Sequence, residues 1–239
     1  MPPEAERAWE LVLRTIESDL LSGALKPGDH LPPERALAAD LSVGRSSVRE
    51  AFRVLEVLGL IRTAAGSGPQ AGAIIIATPS GGMSALMRLQ VAAAGFAVAD
   101  IVKTRLLLET AVAADLATSG AETDASRQLL EAMNAPGLTE AEFLALDAQF
   151  HVSLAEASGN DVVAAMMAGL RSSIEGYVLR AVPFLEDWTR TSARLRTEHA
   201  AILTAIEAGE PGTASELVHE HITTYYAESR LTPAAASAR

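Results

Sequence analysis

The sequence contains no cysteine, and this absence excludes disulfide bonds and metal sites built from thiolates. A chain without cysteine is suited to a reducing compartment, so we expect a cytoplasmic location. A long apolar run is also missing. The most apolar window, Val91 to Val102, is interrupted by Gly95 and Asp100 and is too short to cross a bilayer. We therefore expect a soluble protein that has no membrane partner.

Positive charge is scarce as well. The 239 residues carry 19 lysines and arginines against 30 aspartates and glutamates, a formal net charge of −11. Such a chain does not coat nucleic acid or anionic membranes indiscriminately, although a local basic surface can still read DNA. The length, with 49% hydrophobic residues, allows one large core or two modest ones. We favour two domains, with most of the negative charge in the second.

The stretch Leu31–Ile61 predicts a helix-turn-helix followed by the first strand of a wing. Pro32 and Pro33 are suited to a helix start, so a first short helix should run from about residue 34 to residue 41. A three-residue turn follows and ends at Gly44. Glycine is an acceptable N-cap, and a second helix should run from about residue 45 to residue 58.

The second of these helices has one apolar face and a basic, polar start. The apolar residues recur at helical spacing and are Val48, Ala51, Phe52, Leu55 and Leu58. The polar residues at the start of the helix, away from that face, are Arg45, Ser46, Ser47 and Arg49. Arginine binds guanine O6 and N7 bidentately, whereas serine and backbone N–H groups hold phosphates. These residue types predict double-stranded DNA as the leading partner.

The strings LPPERALA, VGRSSVREAFRVL and GLI, in this order and with these gaps, resemble the winged-helix domain of the GntR family of bacterial transcription regulators. The resemblance implies a set of DNA-binding positions in the two helices and the wing, namely Arg35, Arg45, Ser46, Ser47, Arg49 and Gly66. Two departures stand out: Gly44 replaces the usual serine, and the wing lacks the basic residue often found before its Gly-x-Gly. We expect a wing that grips DNA weakly.

The remaining chain is punctuated by turn residues and is otherwise helical in pattern. Residues 73–76 should form the returning strand of the wing, and residues 78–82, Thr-Pro-Ser-Gly-Gly, predict an interdomain linker. Helices are predicted at roughly 83–93, 98–118, 122–133, 139–157, 161–181, 189–208 and 211–229. We predict a mainly α protein: a winged helix-turn-helix domain (1–77), the linker, an antiparallel all-helical bundle (83–231) and a disordered tail (232–239).

Four polar residues of the helical part fall on apolar helix faces. Asp147 and His151 are four residues apart and stack on one face of a helix. His199 and His221 each share a face with leucine, isoleucine or tyrosine, whereas His219 shares one with acidic and polar residues. Burial of three imidazoles and a carboxylate without partners is unfavourable.

A divalent cation would explain all four residues, because imidazole nitrogen and carboxylate oxygen are ligands for zinc, nickel, manganese and cobalt. Zinc is the metal that we expect first. A metal-dependent enzyme with an open coordination position would use the same residues. Another alternative is a metal-free dimerisation body whose core histidines are satisfied by hydrogen bonds.

The segments Asp147–His151, Ser158–Asn160, Glu198–His199 and His221-Ile resemble the ligand-binding FCD domain of the FadR-type branch of the GntR family. The resemblance implies that the metal ligands are Asp147, His151, His199 and His221, and that a small carboxylate effector binds near them.

Arg105 and Glu109 match an R-x-x-x-E pairing of the same family. Arg105 is therefore the candidate anchor for the effector carboxylate, because its planar fork suits a bidentate contact. The alternative is an intrahelical pair with Glu109 that is worth a few tenths of a kcal/mol.

Together the two resemblances imply a homodimer that presents two recognition helices to the half-sites of an operator. They also imply a transcriptional regulator, and the usual outcome in this branch is repression relieved by an organic acid effector.

Overall fold

The computed structural model describes residues 7–64, 72–76, 79–93 and 96–228. The chain divides into two compact units, Met1–Met83 and Ser84–Arg239. Three predicted features lie outside the described residues: the wing tip with Gly66, Thr78 at the start of the linker, and the tail from residue 232 onward.

The first unit is a winged helix-turn-helix, as predicted. Its elements are α1 (Ala8–Ser22), α2 (Glu34–Asp40), α3 (Arg45–Val57), β1 (Ile61–Ala64) and β2 (Gly72–Ile75). The two strands are antiparallel, with Ile61 opposite Ile75. Both of these isoleucines are buried, so one face of the small sheet closes the core that α1 and α3 form.

Helix α3 follows the predicted apolar spacing. It starts at Gly44 as N-cap, and it buries Val48 and Phe52 together with two further residues of the same face. Leu58 is the exception: it is the C-cap residue, where α3 ends, and 41% of its surface is exposed. Leu21 of α1 is also exposed, at 83%, since it lies about 140° around the helix from the buried Ile16.

The second unit is an all-helical bundle, again as predicted. After α4 (Pro79–Ala92), its helices are α5 (Val98–Ser119), α6 (Asp124–Met133), α7 (Glu140–Ala157), α8 (Asp161–Ala181), α9 (Trp188–Glu207) and α10 (Pro211–Glu228), with a short 3-10 turn at Val182–Phe184. Helix α10 packs against α5 and α9, and α7 packs against α5, α6 and α8. The helices that carry the candidate ligands therefore surround one shared core.

Helix α4 begins at Pro79, four residues before the predicted start, so residues 79–82 of the predicted linker are helical. Proline is favoured in the first helical turn because the N–H that it lacks would have no partner there. The Pro-Ser-Gly-Gly run therefore marks a helix start rather than an irregular segment.

Side-chain caps fix the starts of the three helices that follow α6. Thr139 and Glu142 form a capping box at the start of α7. The side chain of Asn160 accepts a hydrogen bond from the first turn of α8, and Asp187 does the same for α9. These caps set the phase with which α7 and α9 present their residues to the core.

Within the described part of the chain, no single helix is long and apolar enough to cross a membrane. Only the bent pair Asp161–Arg171 and Ser173–Phe184, taken together, reaches the required length and hydropathy.

Candidate functional site

The bundle brings together all four residues that the sequence singled out as metal ligands. Asp147 and His151 come from α7, His199 from α9 and His221 from α10, and the ligand atoms of these four side chains all lie within 4.8 Å of one another. Each side chain is almost wholly buried, and His199 has no exposed surface at all. His219, predicted to face outward, is exposed.

Two glutamates define which nitrogen of two imidazoles carries the proton. An oxygen of Glu109 lies 2.6 Å from Nδ1 of His151, and an oxygen of Glu198 lies 2.8 Å from Nδ1 of His221. At His221 the carboxylate accepts a hydrogen bond from Nδ1, whereas at His151 the contact does not have hydrogen-bond geometry and the charge of Glu109 favours a proton on Nδ1; we therefore assign the proton to Nδ1 in both rings. The Nε2 atoms of both histidines therefore carry lone pairs.

These two Nε2 atoms face each other at a distance of 3.2 Å. Two lone pairs at that distance repel unless a cation lies between them. In a tetrahedral zinc site with bonds of about 2.0–2.1 Å, neighbouring ligand nitrogens are about 3.3 Å apart. His199 Nε2 lies 3.1 Å from an Asp147 oxygen, but neither nitrogen of this ring makes a hydrogen bond with the described residues. The residues present fit a divalent cation with nitrogen and oxygen ligands.

The charge states of the cluster also suit a metal. Burial raises the pKa of Asp147, but the hydrogen bond and charge of His199 outweigh burial and hold that pKa below its ordinary value. Burial and the neighbouring His199 lower the pKa of His221 to about 4. An ionised carboxylate and a neutral imidazole are the forms that bind metal ions.

Arg105 and Glu109 do form the intrahelical pair that was the alternative to effector binding, and the pair is buried. Nε of Arg105 lies 2.6 Å from a Glu109 oxygen, and the side chains are only 5% and 6% exposed. Nη1 of Arg105 donates to the hydroxyl of Tyr177 at 2.7 Å. Because Glu109 also contacts His151, Arg105 is linked to the cluster through it.

A small cavity lies beside the cluster, and its volume is about 10 Å³. Its lining includes Arg105, Asp147, Tyr177, His221, Tyr225 and Tyr226. A cavity of that size holds about one water molecule and is too small for an organic acid.

Tyr225 of α10 forms a hydrogen bond to the C-terminal end of α8 beside this cavity. Its hydroxyl donates a hydrogen bond to the carbonyl of Val178 at 2.8 Å. That carbonyl is near the C-terminal end of α8, where Val182 N–H bonds to Leu179 rather than to Val178. The tyrosine therefore satisfies a carbonyl that the helix itself leaves without its usual partner.

Sequence reasoning gave no role to Glu198 and did not mention Tyr177. A signal for Glu198 was available, because Arg194 and Glu198 repeat the R-x-x-x-E spacing of Arg105 and Glu109. Tyr177 had no comparable signal beyond its helical phase. Its contact with Arg105 depends on how α8 packs against α5.

In the first unit, the predicted DNA-contacting arginines, Arg35, Arg45 and Arg49, are all exposed, and so is Ser46, whereas Ser47 is half-buried. Arg49 forms an ion pair with Glu34 of α2, in which Nη2 lies 3.0 Å from a carboxylate oxygen and the side chains are 52% and 32% exposed. The hydrogen bonds and charge of Glu34 raise the pKa of Arg49. Sequence reasoning did not identify Glu34 as a partner.

Known proteins share both halves of this architecture. The family model described as bacterial regulatory proteins, gntR family, matches residues 10–69, and the FCD domain model matches residues 100–224. The HTH-type transcriptional regulator LutR of Bacillus subtilis is 31% identical over 84% of this chain and 92% of its own. The Glc operon transcriptional activator of Escherichia coli K12 is 27% identical over 94% of this chain and 89% of its own.

A further relative and one solved structure agree with these matches. The HTH-type transcriptional repressor NanR of Citrobacter rodentium is 30% identical over 92% of this chain and 85% of its own. The structure of Streptococcus agalactiae GntR superposes with a TM-score of 0.57 at 27% identity, covering 90% of this chain and 98% of that one. The chain therefore belongs to the GntR family of bacterial regulatory proteins and is a DNA-binding transcriptional regulator with an FCD domain.

Proposed function

We propose that this regulator is a homodimeric repressor whose operator binding is controlled from a metal centre in its helical unit. Asp147, His151, His199 and His221 hold the divalent metal, with zinc first and nickel, manganese or cobalt as alternatives. A small carboxylate metabolite binds beside the metal and releases the operator. When bound, the metal supplies a positive centre that attracts the carboxylate.

The observation that carries the metal proposal is the pair of facing Nε2 atoms, 3.2 Å apart, with both Nδ1 atoms next to carboxylates. A core of satisfied histidines would place a donor opposite each acceptor. With the protons assigned to both Nδ1 atoms, two acceptors are opposed, and the ionised Asp147 is close by. A cation between the two nitrogens removes the repulsion of their lone pairs and gives all four side chains a partner.

The DNA proposal is supported by the position of Arg45 and Ser46 at the exposed N-terminal end of α3. The N-terminal residues of the second helix of a helix-turn-helix contact base edges in the major groove. In this family member the net charge is −11. Binding therefore depends on a few local contacts and on the spacing of two half-sites rather than on a general positive field.

The effector proposal is supported by the hydrogen-bonding capacity that Arg105 retains. The guanidinium has five N–H groups, of which three point at Glu109 and Tyr177. Two N–H groups are left for a carboxylate, and Arg105 is one of the residues that line the cavity. Because that cavity holds about one water, a carboxylate binds only to a widened form of the bundle. Preference for the widened form is what allows the effector to shift the regulator between states.

Metal analysis of protein purified without an affinity tag tests the proposal. We expect about one zinc per chain, loss of metal in His221→Ala, and no loss in His219→Ala, because His219 is exposed on the same helix. A chain that takes up none of zinc, nickel, manganese or cobalt would show that the helical unit is a metal-free dimerisation body.

A second experiment tests the effector and the direction of control. Genomic fragments selected by the metal-loaded protein supply the operator, and a thermal-shift screen against small organic acids supplies the effector. We expect the stabilising acid to lower operator affinity and Arg105→Lys to weaken the response. An acid that instead raises operator affinity would overturn the proposed direction of control.

A further inference from the structure

Glu198 precedes the candidate ligand His199 in α9, but its side chain contacts a different ligand on a different helix. One of its carboxylate oxygens lies 2.8 Å from Nδ1 of His221 in α10. Its other carboxylate oxygen contacts Arg194, so the carboxylate lies between a guanidinium and an imidazole. An ionised carboxylate at this distance holds the proton on Nδ1 and turns Nε2 toward the cluster.

The other oxygen of Glu198 is held by Arg194, one turn earlier in α9. Nη1 of Arg194 contacts that oxygen, and Nη2 contacts Glu228 near the end of α10 at 2.7 Å. The guanidinium thus binds carboxylates from two helices. Glu198 is fixed between Arg194 on one side and His221 on the other.

This arrangement repeats the Arg105–Glu109–His151 contacts, but closer to solvent. Both series start from an i,i+4 Arg–Glu pair on one helix and end at Nδ1 of a histidine on another. The Glu109 side chain is 6% exposed, whereas that of Glu198 is 24% exposed. Arg194 also lines a surface pocket of about 380 Å³ that Arg190, Thr191 and Glu228 share. Arg194 is therefore reachable from outside the bundle.

We propose that Glu198 is a positioning residue for the metal centre, and that Arg194 sets its position from the solvent-facing side. This inference rests on the proposed metal function of the cluster. Without Glu198, the His221 imidazole can exchange its tautomer and rotate. The imidazole would then be a less basic ligand, and its Nε2 would no longer be held in the direction of the metal.

Another i,i+4 pair in the same unit shows what an Arg–Glu pair does without a histidine. Arg171 and Glu175 of α8 are joined at 2.7 Å, with side chains 40% and 31% exposed. Neither residue belongs to the candidate ligand set. This pair is a matched control, because it has the same spacing, a similar geometry and no contact with Nδ1 of a histidine.

The test is the zinc affinity of the full chain, measured by competition with a chromophoric chelator. Glu198→Ala should raise the zinc dissociation constant about 10–100-fold. Glu198→Gln should raise the dissociation constant less, since the amide oxygen still accepts a hydrogen bond from Nδ1–H. The dissociation constant of Arg194→Ala should lie between those of Glu198→Gln and the wild type. Glu175→Ala and Arg171→Ala should bind zinc as the wild type does.

Two further readouts separate positioning from general stability. The absorption spectrum of the cobalt-loaded protein should change in Glu198→Ala and be restored toward the wild type in Glu198→Gln. The melting temperature of the metal-free protein should be similar in Glu198→Gln and the wild type, while the rise that zinc produces should be smaller in the variant.

The outcomes distinguish this inference from the function on which it rests. A wild-type chain that binds no zinc and no cobalt overturns the metal centre, and the role of Glu198 with it. A wild-type chain that binds zinc, with Glu198→Ala binding equally tightly, overturns the positioning role alone. Equal losses of affinity in Glu198→Ala and Glu175→Ala would also overturn it, because they would indicate general destabilisation.

Discussion

The two units of the molecule use the same Arg–Glu pairing in opposite environments. In the DNA-binding unit, Arg49 and Glu34 are joined at 3.0 Å with side chains 52% and 32% exposed. In the helical unit, Arg105 and Glu109 are joined at 2.6 Å with side chains 5% and 6% exposed. Water competes for the first pair and not for the second. The exposed Arg49 therefore has a face open to another anion, whereas the buried Arg105–Glu109 pair stays formed in the core.

The comparison separates two uses of one chemical contact. An exposed ion pair contributes little to stability and leaves its arginine accessible, which suits a residue that has to meet DNA. A buried pair is held by the unfavourable burial of either charge alone. Through Glu109 and His151, that rigidity extends to the candidate ligand set.

Removal of Arg105 should give the largest effect. Arg105→Ala leaves Glu109 buried without its cation, and we expect the free energy of unfolding of the helical unit to fall by about 3–5 kcal/mol. Urea denaturation followed by circular dichroism measures this change. Arg49→Ala is the matched variant in the other unit and should leave stability unchanged. Equal stabilities for Arg105→Ala and the wild type would show that burial does not distinguish the two pairs.

Metal removal should give the next largest effect, and only in the helical unit. A ligand at 100 times its dissociation constant stabilises the folded state by about 2.7 kcal/mol. Chelation should therefore speed amide hydrogen exchange in α7, α9 and α10, which carry the candidate ligands, and leave exchange in α3 unchanged. Faster exchange confined to α3 after chelation would contradict the location of the site.

Arg49→Ala should affect DNA and not stability. We expect operator affinity to fall by about one to two orders of magnitude, the usual loss when a bidentate contact to guanine is removed. Fluorescence anisotropy with operator and scrambled duplexes measures the difference. Lys103→Ala, an exposed cation of α5 in the other unit, is the control and should bind as the wild type does. If Arg45→Ala and Arg49→Ala both bound the operator normally, α3 would not be the recognition helix.

The fold was readable from the sequence because local patterns and packing agree. The apolar spacing of α3 and the four-residue separation of Asp147 and His151 both reflect the helical period, which local sequence determines. His199 and His221 were placed inward by the same phase argument, and both are buried. The ligand set could therefore be selected without knowing how the helices pack.

The side-chain contacts that support the candidate ligands could not be predicted from the sequence in the same way. Glu198 approaches His221 only because α9 and α10 pack in one particular register, and Glu109 approaches His151 only because α5 lies beside α7. Side-chain contacts between helices depend on shifts of a fraction of a turn, which the sequence pattern does not encode. The cavity volume of about 10 Å³ likewise depends on how closely the tyrosines pack.

The smallest expected effect concerns Glu34, whose charge holds Arg49 before DNA arrives. Nε and Nη2 of Arg49 each donate one N–H to this carboxylate, so the other N–H of Nη2 and both N–H groups of Nη1 are free to face a base edge. Glu34→Gln should leave stability unchanged and raise affinity for scrambled DNA, because a negative charge near the phosphates is lost. Operator affinity should rise less, since the guanidinium is no longer oriented. The ratio of operator affinity to affinity for scrambled DNA should therefore fall.

Glu50→Gln removes the same charge from the exposed surface of α3, at a residue with no ion pair among the described residues. Its effect on operator and scrambled duplexes should be equal, because it changes the charge without releasing Arg49. If Glu34→Gln and Glu50→Gln changed both affinities by the same factor, Glu34 would act only as a charge. The exposed pair would then contribute nothing to recognition, and the contrast with the buried pair would be one of burial alone.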